Sequence, residues 1–144
     1  LANRAIVSAI KATQHLCKNM KIHTKSKNEY VREEYNLIRK NLVQLLRTIN
    51  AIAKADNEME KESLLVEAKN HSEKNDVFAN GSLDNLIRQE LIPNEIATSL
   101  MNDSAYAYDI SQNLIAVAEV LFINRQMKSE NSHEYSVIDK QEIV

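Results

Sequence analysis

Turn-forming residues are nearly missing from this chain, which has a single glycine, Gly81, and a single proline, Pro93, in 144 residues. Soluble proteins carry roughly 7% glycine and 5% proline, so on the order of a dozen turn residues are absent. A many-stranded fold cannot reverse its chain often enough without them, because tight hairpins need residues that tolerate positive φ. One glycine also cannot build a glycine-rich phosphate loop. The lone cysteine, Cys17, excludes an internal disulfide and a cysteine-rich zinc site. No apolar run approaches the ~18 residues of a membrane-spanning helix. Tryptophan is absent and aromatics make up 5% of the chain. With a near-neutral charge of −2 and no recognisable reading motif, nucleic acid is not an expected partner.

What remains is helix-forming sequence. Ile6, Ile10, Thr13, Cys17 and Met20 step by 4 and 3, with Ala5, Ala9 and Leu16 beside them. This predicts a first amphipathic helix from Ala2 to about Lys25, with Cys17 as a small core residue. Ser26 and Glu29 have capping-box spacing and predict the start of a second helix. Its stripe of Val31, Tyr35, Ile38, Leu42, Leu45, Ile49 and Ile52 is an unbroken heptad pattern, flanked by Leu37, Leu46 and Ala53. The flanking residues predict contact with more than one neighbour. The same spacing continues through Asp56, Met59, Ser63 and Val66. A single helix reaching Lys69 would span roughly 60 Å.

The main break falls at residues 70–82, rich in Asn, Ser and charge and holding the only glycine. Ser82 is placed to cap a short helix over Leu83–Leu91. Pro93 then starts a third long helix running to about Met127, striped by Ile96, Leu100, Asp103, Ala107, Ile110, Leu114, Val117, Leu121 and Asn124. Ile115, Ala118 and Phe122 form a second row. Short connections imply antiparallel neighbours. The expected fold is therefore all-α, an antiparallel bundle of three long helices and one short one over residues 1–127, followed by a polar tail over 128–144.

Charge is distributed unevenly. Residues 1–50 hold ten Lys/Arg against three Glu, and residues 51–144 hold eight against seventeen Asp/Glu. Two halves of opposite sign can simply pack together, or the basic half can face an acidic partner. Lys18, Lys21, Lys25, Lys27 and Arg32 are the candidate partner-binding cluster. His15, His23, His71 and His133 match no two-ligand helical spacing, and no serine or cysteine stands in a nucleophile elbow. No metal, cofactor or catalytic residue is expected. The notable polar positions are Asp56 and Asp103, which interrupt the core stripes of the second and third helices. If those helices run antiparallel and meet near 66 and 93, the two carboxylates lie at one level. There they would hold a cation, share a proton or find Lys54 or Arg88, unless both lie at a wet end of the bundle.

Two stretches carry a family resemblance. One runs from Ala5-Ile6-Val7 through His15-Leu16-Cys17-Lys18-Asn19, Ser26 and Asn28 to Tyr35-Asn36-Leu37-Ile38-Arg39. The other runs from Leu91-Ile92-Pro93-Asn94-Glu95-Ile96 through Asp103 and Tyr106 to Leu114. Together they resemble the cytoplasmic C-terminal region of bacterial sodium/phosphate cotransporter-related membrane proteins, itself similar to the PhoU domain. The resemblance covers residues 1–126. It implies a PhoU-like helical bundle acting in phosphate transport or its regulation, without catalysis, on the cytoplasmic side of the inner membrane. It further implies a transmembrane transporter domain upstream of Leu1, a start that reads as helix and lacks a signal-peptide pattern. A cytoplasmic regulatory protein and a second copy of the chain are the other implied partners. Metal-binding PhoU proteins use Glu/Asp-x-x-x-Asp motifs. The nearest sequences here, Asp56-x-x-x-Glu60 and Glu58-x-x-x-Glu62, end in glutamate, so no metal site is carried over. The alternative function is a free-standing helical interaction module, as a monomer or as a dimer paired through an apolar row.

Overall fold

A computed structural model describes residues 1–76 and 81–123. The expected helix end at 124–127, the polar tail and His133 lie outside the described residues. Five helices make up the fold among those described: α1 (Ala2–His23), α2 (Glu29–Lys54), α3 (Glu58–Lys74), α4 (Ser82–Arg88) and α5 (Asn94–Phe122). The fold is all-helical, as expected, but it contains four long helices and one short one rather than three and one.

The extra helix arises at residues 55–57. Ala55 turns extended (ψ 139°), and the Asn57 side chain accepts a 2.9 Å hydrogen bond from the Glu60 amide. Asn57 is thus an N-cap, with Glu58 and Glu60 in the first turn, where acidic groups suit the positive end of a helix dipole. The predicted 60 Å helix is instead a hairpin. Its heptad stripe does not survive the turn: Met59, Ser63 and Val66 are exposed, and α3 buries Leu65, Ala68 and Ser72.

In α2 the predicted core stripe is buried or half-buried throughout; α2 does pack against more than one helix, α3 and α5 above all, but Leu37, Leu46 and Ala53 are exposed. The cap of α2 lies two residues later than predicted. The Asn28 side chain, not that of Ser26, accepts from the Val31 amide, while Ser26 Oγ accepts from the Asn28 amide. In α1 the buried face is Ala9, Ala12 and Leu16; Ile6, Ile10, Thr13 and Cys17 are exposed. The helix is rotated by about one residue, ~100°, from the predicted stripe. Small alanines let α1 approach α5 closely, which places the larger residues beside the contact rather than in it.

Helix α5 is the hub and packs against all four others. His15 stacks on Tyr106 and Ser8 meets Asn113, so α1 runs antiparallel to α5. Lys69 pairs with Glu119 at 3.1 Å and Ser72 with Gln112 at 3.2 Å, so α3 is antiparallel too. Helix α2 lies parallel to α5. Tyr35 meets Asp103 near their starts, and Leu45 and Ile52 share a core cluster with Ile115 and Ala118 further along. A second cluster, built on Leu16, Val31, Tyr35, Leu83, Ile92 and Leu100, closes the end where α4 sits. Leu114 packs against both clusters and makes the core continuous.

Candidate functional site

The two candidate aspartates are not brought together. Asp56 is exposed at the α2–α3 turn, while Asp103 is 1% exposed on α5. The antiparallel juxtaposition failed because the chain reverses at Ala55, which leaves α2 parallel to α5. Asp56 therefore lies nineteen helical residues or more beyond Tyr35, roughly 30 Å along α2.

Asp103 instead accepts a 2.5 Å hydrogen bond from the Tyr35 hydroxyl. Burial pushes the Tyr35 hydroxyl pKa up, and the hydrogen bond to Asp103 and its negative charge push it further. Tyr35 thus stays a neutral donor to the buried carboxylate. The His23 ring stacks on Tyr35, with centroids 4.7 Å apart, and links the end of α1 to this pair. Close by, the Asn28 amide donates to the Leu91 carbonyl at 2.9 Å, so the residue that caps α2 also ties down the α4–α5 connection. Sequence reading placed Tyr35 only as a core residue. The available signal was a phenol and a carboxylate on facing core stripes.

The basic cluster lies around the α1–α2 turn. Lys18, Lys21, Lys25 and Lys27 are exposed; Arg32 is half-buried and donates to the Ser26 carbonyl at 2.9 Å. Glu29, Glu33 and Glu34 share the first turns of α2 with Arg32. Burial, and then the charge of Glu33, raises the Glu34 pKa. The cations are therefore accompanied by carboxylates, and only the lysines face water freely.

A cavity of about 40 Å³, mostly apolar in its lining, lies between α2, α3 and α5. Asn41, His71, Ser72, Ser104 and Ser111 contribute hydrogen-bonding groups to its wall. Ser104 Oγ is buried there with no protein partner among the described residues. A space of this size with hydrogen-bonding groups on its wall suits one or a few waters. Among the described residues, no group of three His, Cys, Asp or Glu is arranged to hold a metal ion, and no helix is long and apolar enough to cross a membrane.

A groove of about 370 Å³ runs between α1 and α5. Ile6, Ile10, Thr13 and Cys17 form its α1 wall, and Ile110 and Leu114 contribute from α5. Its lining is almost wholly apolar, and Ile6 and Ile10 remain 39% and 53% exposed. Cys17, expected in the core, opens onto this groove because of the rotation of α1.

Comparison with protein-family models, curated proteins and solved structures finds no match to this chain.

Proposed function

We propose that this chain is a PhoU-like cytoplasmic domain that regulates a sodium-dependent phosphate transporter and does not itself catalyse a reaction. One observation carries the reading beyond sequence resemblance. The two stretches that resemble the transporter-associated region pack against each other, and three contacts join them: Asn28 with the Leu91 carbonyl, Tyr35 with Asp103, and His15 with Tyr106. Residues shared for packing reasons are expected to have this relationship.

In this reading a transporter domain precedes Leu1. The lysines near the end of α1 lie about 30 Å along the helix from Leu1, at 1.5 Å per residue. At that distance they face an acidic cytoplasmic protein or phosphate rather than lipid headgroups. The test is sodium-dependent uptake of radiolabelled phosphate in the source cells, with the gene intact and with the segment encoding residues 1–123 deleted in frame. A changed dependence of uptake on external phosphate is expected. Identical uptake across the phosphate range would sink the proposal.

A second reading, a helical interaction module, is favoured by the exposed apolar groove between α1 and α5.

A further inference from the structure

We propose that the α1–α5 groove receives an amphipathic helix from a partner protein, one whose flanks are acidic. The inference holds whether or not the domain belongs to a transporter. Ile6, Ile10, Thr13 and Cys17 are spaced 4, 3 and 4 along α1, a span of eleven residues or about 16 Å. That is the length over which a docking helix presents anchors at i, i+4, i+7 and i+11. Ile110 and Leu114 form the floor, so the apolar surface is concave.

Charge selects the occupant. Helix α1 contains Arg4, Lys11, Lys18 and Lys21 and no Asp or Glu. Lys21 lies one turn beyond Cys17, and Lys11 and Lys18 lie about 100° round from Ile10 and Cys17. All three lysines are exposed, and Lys21 is the one nearest the apolar wall. An acidic flank on the incoming helix would pair with them and guide its approach. A second copy docking α1 against α1 would bring like charges together. An anionic lipid surface would match the lysines, but Ile110 is only 4% exposed at the groove floor, where a flat surface does not reach.

Cys17 supplies a built-in reporter, being the only cysteine, exposed and on the groove wall. The experiment measures its alkylation by iodoacetamide in the 144-residue chain. The probes are a three-heptad helical peptide with Leu at a and d and Glu at e and g, and the same peptide with Lys at e and g. Vesicles of phosphatidylcholine and phosphatidylserine form a third arm. At saturation the acidic peptide is expected to slow alkylation on the order of tenfold by covering the thiol, and the basic peptide to leave it unchanged. Ile10→Asp removes the protection, and the combined K11E, K18E and K21E variant shifts the preference to the basic peptide. Both variants alter exposed positions, and matching circular dichroism establishes that their folds are intact. No protection by the acidic peptide, or equal protection by both peptides, overturns the proposal. Protection by vesicles alone overturns it in favour of a lipid surface. Protection that rises with protein concentration in the absence of peptide overturns it in favour of self-association.

Discussion

The Tyr35 hydroxyl donates to the Asp103 carboxylate across the α2–α5 interface, with both side chains at 1% exposure or less. A carboxylate removed from water is tolerated only when it is hydrogen-bonded. Tyr35→Phe keeps the ring and its stack with His23 but strands Asp103. Chemical denaturation is expected to show a loss of about 1.5–3 kcal/mol, the range for a hydrogen bond to a charged group. Adding Asp103→Leu removes the stranded charge, so the double variant is expected to be more stable than Tyr35→Phe alone. A double variant less stable than the single would show that the pair is not coupled in this way.

The same bond makes a prediction about pH. In the unfolded chain Tyr35 titrates near its ordinary value of 10.0, while in the folded chain burial and Asp103 hold the proton to higher pH. The contribution is fully present below pH 10. Above it the unfolded state releases a proton that the folded state keeps, so stability falls as pH rises, by at most about 1.4 kcal/mol per pH unit. Denaturation curves from neutral pH to pH 11 should show this decline in the native sequence. They should show a shallower decline in Tyr35→Phe.

Glu90 occupies the left-handed region at φ 53°, just after α4, where its amide donates to the Ile87 carbonyl and the Leu91 amide reaches back to Leu86. Helices that end in this way usually place glycine at that position. A side chain there costs roughly 1–2 kcal/mol, part of which glycine gives back through its greater freedom in the unfolded chain. Glu90→Gly is therefore expected to stabilise the protein by about 0.5–1 kcal/mol, read as a rise in Tm. The Leu91 carbonyl beside it holds Asn28, so Asn28→Ala loses a cap and a tertiary tie at once. Its expected cost is at the upper end of the ~0.5–2 kcal/mol range for N-caps. A gain from Asn28→Ala, or a loss from Glu90→Gly, would contradict these assignments.

The α2–α3 reversal can be measured directly. Arg39 and Lys74 are both exposed and take spin labels without disturbing the core. In one continuous helix they would lie about 50 Å apart, at 1.5 Å per residue. In the hairpin the two helices are neighbours, with axes roughly 10 Å apart. Distance measurement by electron spin resonance is expected to give well under half the continuous-helix value.

That reversal marks the boundary of what the sequence disclosed. The α2 stripe from Val31 to Ile52 was legible because its period and its burial agree. Beyond it, Asp56, Met59, Ser63 and Val66 kept the period without the burial. Asn57 followed by Glu60 was the local capping signal that outweighed the count. A stripe records which residues share a helix face, but not where the helix stops. The level of Asp56 relative to Asp103 was derived from that unbroken helix, so it failed with it. The Tyr35–Asp103 pair escaped notice because its residues are 68 apart, and only the parallel packing of α2 on α5 makes them partners. The α1 face was misread for a different reason. A heptad count favours Ile6 and Ile10, whereas close packing on α5 selects the alanines.

The rotation of α1 gives the final prediction. Cys17 faces the groove and Leu16, 2% exposed, faces the core, although the predicted stripe includes Cys17 and has Leu16 only beside it. Ellman's reagent is therefore expected to react with Cys17 in the native protein at a rate within roughly fivefold of that in the urea-unfolded chain, since access governs thiol reactivity here. Moving the thiol by one position, as Leu16→Cys in a Cys17→Ser background, places it against α5. Reaction should then slow by orders of magnitude and wait on local opening of the bundle. Substituting leucine with cysteine weakens the core, so the comparison is made where circular dichroism shows the variant still folded. Slow reaction at Cys17 together with fast reaction at position 16 would restore the predicted helix face and remove the apolar groove.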